Sequence, residues 1–258
     1  MKLAKTTLAL AILLAIPQMR ALAADAQTPS ARDSQVDRKG GVQSYAQYLV
    51  DSYARRHAEL VGIELHAALP GGQSTIVASR TPALVGTPSS PEDVAVFRTG
   101  RAMVEINRKG DQNVEVTLPL FDIARRPIGI AELTFPYVPG TDEDALLHQA
   151  AQYRNDLSRR ILDPESLTAP MQLDERIPTE SYAQFLIDDA LEQYPGVEVL
   201  ALHARTAKVA GYPIIASNIG RYGKAAEPGD LDVIESGTPH GAVDARGARY
   251  EWKVPVKD

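Results

Sequence analysis

SYAQYLVD at residues 44–51 and SYAQFLID at residues 181–188 are one octapeptide written twice. Only Tyr48 and Val50 differ, becoming Phe185 and Ile187. The likeness continues at the same interval of 137 residues, where ELVGIELHA (59–67) lines up with GVEVLALHA (196–204). Further on, STIVASR (74–80) matches PIIASN (213–218), PEDVAVFRTG (91–100) matches PGDLDVIESG (228–237), and VEVTLPLFD (114–122) matches YEWKVPVKD (250–258). Five blocks in one order, with one-residue slips between them, predict a duplicated structural unit.

Local chemistry gives each unit its elements. Ser44 with Gln47, and Ser181 with Gln184, have capping-box spacing, in which the serine accepts from the N3 amide and the glutamine reaches back to the N-cap amide. Tyr48, Leu49, Ser52 and Tyr53 then follow helical spacing, as do Phe185, Leu186 and Ala190. A helix that starts earlier, with the serine inside it, is the rival reading. Two strand-like runs, VGIELHAAL and STIVASR, are joined by Pro70-Gly71-Gly72. Ser90-Pro91-Glu92-Asp93 reads as a helix start and Gly100 as its stop. Three more strands follow at 101–108, 113–122 and 127–137, with Val114, Val116 and Leu118 alternating against Glu115 and Thr117.

The predicted class is α+β: two copies of a five-stranded antiparallel sheet with flanking helices. The second copy has no counterpart of IARRPIGIAELTFPY after Asp258, so it is expected to lack its last strand unless the sequence is a piece of a longer chain. An unpaired sheet edge is an association hazard. Residues 142–162 read as a helix, with Leu146, Ala150, Tyr153, Leu157 and Ile161 on one side, and 162–178 as a loop or extended connector. The expected organisation is a signal peptide at 1–23, a polar linker at 24–43, a first domain at 44–140, a helical linker at 141–178 and a second, incomplete domain at 179–258.

The signal peptide rests on Lys2 and Lys5, a short apolar run, and Ala21-Leu22-Ala23 as cleavage site. The run is too short for a bilayer, so export to the periplasm or medium is expected, with no span after cleavage. The absence of cysteine excludes disulfides, thiol catalysis, thiolate metal sites and a lipid-modified N-terminus. Of 27 basic residues the signal takes three, leaving 24 against 33 acidic ones, a net charge of −9. That balance argues against nucleic acid and anionic membranes as partners. No Gly-x-Ser-x-Gly elbow, phosphate loop or His-Glu-x-x-His is present, so no enzyme, metal or cofactor is expected.

The order helix–two strands–helix–three strands, duplicated and exported, resembles the PAS-like extracytoplasmic sensors called Cache or PDC domains. The residues that carry the likeness are IASN (215–218), DLDVIESG (230–237) and RYEWKVPVKD (249–258), with IVASR, DVAVFRTG and VEVTLPLFDIARRPIGIAELTF in the first copy. The resemblance implies a sheet that holds a small polar ligand, an amino acid, amine or carboxylate, against loops on one face. The Tyr-Arg-Trp-Tyr-Asp constellation of the amino-acid-binding subfamily is not found, which leaves the ligand class open. An envelope or membrane protein as partner, with no small ligand, is the second function class.

Candidate ligand residues fall in three groups. His66 and His203 end equivalent strands, as ligand contacts or as hydrogen-bonded ties to a neighbouring loop. Tyr250 and Trp252 share one strand face, as core or as an aromatic pocket for an amine. Asn218, Arg221, Tyr222 and Lys224 crowd a loop whose first-copy equivalent offers only Arg80, so the second copy is the expected binding copy.

Overall fold

The computed structural model describes residues 43–68, 73–107, 112–171, 173–243 and 250–256. The signal sequence expected at 1–23 and the Pro70-Gly71-Gly72 turn lie outside these residues, as do Asp258 and all of the linker but Gln43. No helix of the described residues is long and apolar enough to cross a membrane.

Helix α1 runs Tyr45–Arg56, and Ser44 caps it by accepting from the Gln47 amide at 3.2 Å. Strands β1 (Gly62–Ala67) and β2 (Thr75–Ser79) pair as a hairpin with a bulge between Leu65 and His66. Helix α2 (Pro91–Thr99) has a full capping box between Ser90 and Asp93 and ends at Gly100 in the left-handed region, φ 66°. Strands β3 (Met103–Asn107), β4 (Asn113–Phe121) and β5 (Pro127–Pro136) complete one antiparallel sheet in the order β2-β1-β5-β4-β3. The protein is thus α+β, with a five-stranded antiparallel sheet flanked by helices, consistent with a PAS-like fold. Last in sequence, β5 is central in space, between β1 and β4.

Strand alternation divides the sheet into two faces. Ile63, Leu65, Val114, Val116, Leu118, Leu133 and Phe135 build one core with α1 and with α3 (Glu143–Ser158). At 0–3 % exposure these side chains supply the main apolar burial, about 1.5–3 kcal/mol for each large one. The opposite face carries Glu64, His66, Glu115, Thr117 and Glu132, under α2.

The connector expected at 162–178 contains a short helix, α4 (Pro164–Thr168). Asp163 caps it through the Ser166 amide at 2.8 Å, and Pro164 occupies its first turn, a local signal stronger than the proline-rich composition.

The second half repeats contacts as well as residues. Ser181 caps α5 (Tyr182–Gln193) through the Gln184 amide at 3.2 Å. Strands β6 (Ala201–His203) and β7 (Ile214–Ser217) pair with a bulge before His203, and α6 (Pro228–Ser236) ends at Gly237 with φ 64°. Strands β8 (His240–Val243) and β9 (Tyr250–Lys253) form a separate hairpin.

A nearly complete sheet was expected for this half; among the described residues it is two two-stranded pieces. The counterpart of β5 would lie between β6 and β9, and among the described residues nothing joins the two pieces there. Burial follows. Val114, Val116, Leu118 and Leu120 are 0–3 % exposed, whereas their counterparts Tyr250, Trp252, Val254 and Val256 are 58–84 % exposed. Only Ile187, Leu191 and Ala216 form a buried cluster of its own in this half.

The capping boxes expected at the octapeptides are only half made. Neither glutamine reaches back to its N-cap. Gln47 instead accepts from Ser79 N at 3.2 Å and donates to Ser79 O at 3.0 Å. Gln184 accepts from Ser217 N at 3.1 Å. The same two glutamines donate to Asp51 and Asp188, at 2.8 and 2.9 Å. Each octapeptide therefore locks a helix to the end of a strand.

Candidate functional site

The face of the sheet under α2 concentrates ionisable groups. Glu64 on β1 sits opposite Glu132 on β5, and Thr117 on β4 flanks Glu132 from the other side. Glu115 on β4 faces Glu105 on β3. His66 comes from the end of β1, and Asp93 is brought over it by the first turn of α2.

Burial and mutual repulsion set the protonation of this face. Glu132 is pushed up to about 9, first by burial and then by the charges of Glu115, Glu64 and Asp93. Near neutral pH it holds its proton and donates it to Glu115. Glu115 is itself raised, by burial and by Glu105. The Glu64 side chain is anchored differently, with Oε1 accepting from Ser79 Oγ at 2.9 Å.

His66 is 2 % exposed. Its Nδ1 lies 2.9 Å from Ser89 Oγ, which lies 2.8 Å from Ser74 Oγ. Its Nε2 has no hydrogen-bond partner; the nearest carboxyl oxygens belong to Glu64 at 3.7 Å and Glu132 at 3.9 Å. Thr117 Oγ1 is also buried without a partner, beside Glu132. Buried polar atoms are nearly always paired, and here two exceptions share one acidic face.

The structure does not gather the other expected residues into one site. Asn218 is 1 % exposed and spent on backbone: Oδ1 accepts from Leu200 N, and Nδ2 donates to Arg159 O and Glu198 O. Tyr222, 6 % exposed, packs in the main core and donates to Gln184 Oε1 at 2.6 Å. Its loop lines a cavity of about 20 Å³, shared with Tyr45, Arg160 and Asn218 and large enough for one water. Arg221 is exposed, and Lys224 is exposed in an ion pair with Glu227. Arg80 donates to the Leu60 carbonyl. His203 Nδ1 is 3.0 Å from Tyr212 O, so both histidines tie a strand end to a loop. Tyr250 and Trp252, 58 and 63 % exposed with ring centroids 5.4 Å apart, are neither core nor an enclosed pocket. Lys253 pairs with Asp230 at 2.7 Å.

Sequence reasoning picked His66 and Arg80 from the first half and missed Glu64, Glu115, Glu132 and Thr117. Alternation assigns a glutamate between apolar neighbours to the wet face. The available cue was that four strands of one copy carry such a glutamate, while the second copy has Ala201 in place of Glu64.

No protein-family model and no curated protein matches the chain. Among solved structures it is similar to the sensor domain of Escherichia coli DcuS, at 20 % identity over 45 % of this chain and 80 % of that one, TM-score 0.28. It is also similar to the repressor BlcR of Agobacterium tumefaciens, at 12 % identity over 47 % of this chain and 66 % of that one, TM-score 0.31. A third likeness is to the inducer-binding domain of the Acinetobacter transcription factor PobR in complex with 3-hydroxybenzoic acid, at 9 % identity over 44 % of this chain and 95 % of that one, TM-score 0.29.

Proposed function

We propose that this is an exported PAS-like sensor module that binds a small, positively charged ligand on the α2 side of its five-stranded sheet. The observation that carries the reading is the pair of buried, unpartnered atoms, His66 Nε2 and Thr117 Oγ1, on a face with four carboxyl groups. A carboxylate would add to the repulsion that already keeps Glu132 protonated. A cation relieves it, so of the ligand classes open in the sequence the amine side is favoured. The matching contacts of Gln47 and Gln184 support a tandem duplication, with Ala201 standing in the second copy where the first has Glu64.

The test is a thermal-shift screen with amines, amino acids, carboxylates and metal ions. A ligand at one hundred times its Kd adds about 2.7 kcal/mol of stability. The reading predicts that cationic compounds raise Tm and that E132Q or E64Q weakens the effect. A screen in which only carboxylates act, or nothing acts, sinks it.

A second reading, an interaction module of the envelope, draws on the exposed row Tyr250, Trp252, Val254 and Val256 and on Tyr182 and Phe185 of α5, 73 and 61 % exposed. Large exposed apolar patches mark association surfaces. It predicts a protein partner lost on W252A while cation binding persists.

A further inference from the structure

We propose, resting on the cationic-ligand reading, that the charge is delivered by a first-row divalent metal ion, zinc for preference, held by His66 Nε2, Glu64 and Glu132. These three ligand atoms lie within 4.8 Å of one another. Two ligands on a tetrahedral zinc, each about 2.0–2.2 Å from the ion, stand about 3.4 Å apart. The distances from Nε2 to the two carboxyl oxygens, 3.7 and 3.9 Å, are a few tenths of an ångström longer. An ion between them would draw the three side chains inward.

The histidine makes the case specific. With a hydrogen on Nε2, both oxygens are too distant to accept it. Without one, a buried lone pair faces two acceptors. Either state leaves the atom unsatisfied at 2 % exposure, and a metal ion satisfies it. The other ring nitrogen is fixed by Ser89, and the free Glu64 oxygen by Ser79. Metal ligands are characteristically held from behind in this way. One imidazole with carboxylates suits zinc and its neighbours, whereas calcium demands six to eight oxygens and magnesium a shell of water.

The experiment is calorimetric titration of the whole chain, stripped with chelator, with zinc chloride. One ion per chain is expected, with affinity lowered at least tenfold by Glu64→Gln and by Glu132→Gln and unchanged by the exposed Asp144→Asn. Should a glutamine variant fail to fold, cobalt(II) is added to the native chain, and selective broadening of the His66 imidazole resonances supports the site. Failure to bind, binding that survives both glutamine variants, or cobalt that leaves His66 sharp overturns it. If amines bind and zinc does not, the metal inference falls and the cationic-ligand reading stands; if neither binds, both fall.

Discussion

Gln47 holds the backbone of Ser79 from both sides, accepting from its amide and donating to its carbonyl. Ser79 is fully buried, so losing this grip strands two backbone groups away from water. Q47A is expected to cost about 1–3 kcal/mol and to lower Tm in thermal unfolding. Q184A leaves the Ser217 amide unpaired and takes one of two acceptors from the Tyr222 hydroxyl. An unchanged Tm in both variants would show that the octapeptides do not lock their helices.

Arg160 joins the end of α3 to α5. Burial works against its charge, but Asp156 at 3.3 Å and Asp188 at 3.0 Å outweigh that and keep it ionised. Breaking a buried pair from one side costs about 3–5 kcal/mol. R160A is therefore expected to destabilise more than R160M, which keeps apolar volume. Chemical denaturation of R160A, D188N and the double variant measures the coupling; additive effects would show that the pair contributes nothing.

Gly129 lies where β5 meets β1. A methyl group there would sit 1.9 Å from the His66 carbonyl oxygen. G129A is expected to force the central strand off its neighbour and to abolish cooperative unfolding. Gly100, at φ 66° with open space around it, is the comparison. G100A is expected to cost only about 1 kcal/mol, for a side chain in the left-handed region. Equal Tm values for the two variants would contradict the packing at Gly129.

The second half carries an acid-sensitive contact. Burial opposes ionisation of Asp230, but the Lys253 ammonium, the Glu227 amide and nearby His203 together hold its carboxyl below the usual range. A lowered native pKa stabilises the fold above the unfolded value of 3.8, and that contribution disappears as pH falls through the native pKa. Lys253 also approaches Glu251, and Glu227 is paired with Lys224. D230N is expected to flatten the loss of α6 and β9 structure between pH 4 and pH 2, followed by hydrogen exchange. An unaltered acid profile would count against the pair.

Local rules read the elements well because the decisive residues are neighbours in sequence: Ser90 with Asp93, Gly100, and the alternation along β4. Long-range partners were not legible. Gln47 has correct capping spacing, yet its amide is taken by a strand end 32 residues away. The Tyr222 loop has the composition of a binding loop, yet it folds into the core against Gln184. The acidic face escaped because its glutamates look like solvent-facing positions until α2 covers them.

The strand that closes the sheet is the last to be made. In chain order come β1 with β2, and then β3 with β4, two hairpins that share no ladder with each other. Both wait for residues 127–136 to slide between them. Joining β1 to a strand so distant in sequence is the slow kind of contact, because a long loop must close first. Glu132 travels on that strand, so it meets Glu64 and Thr117 only as the sheet zips shut. A half-folded chain therefore carries every residue of the acidic face without assembling it; the face appears only when the five-stranded sheet has closed.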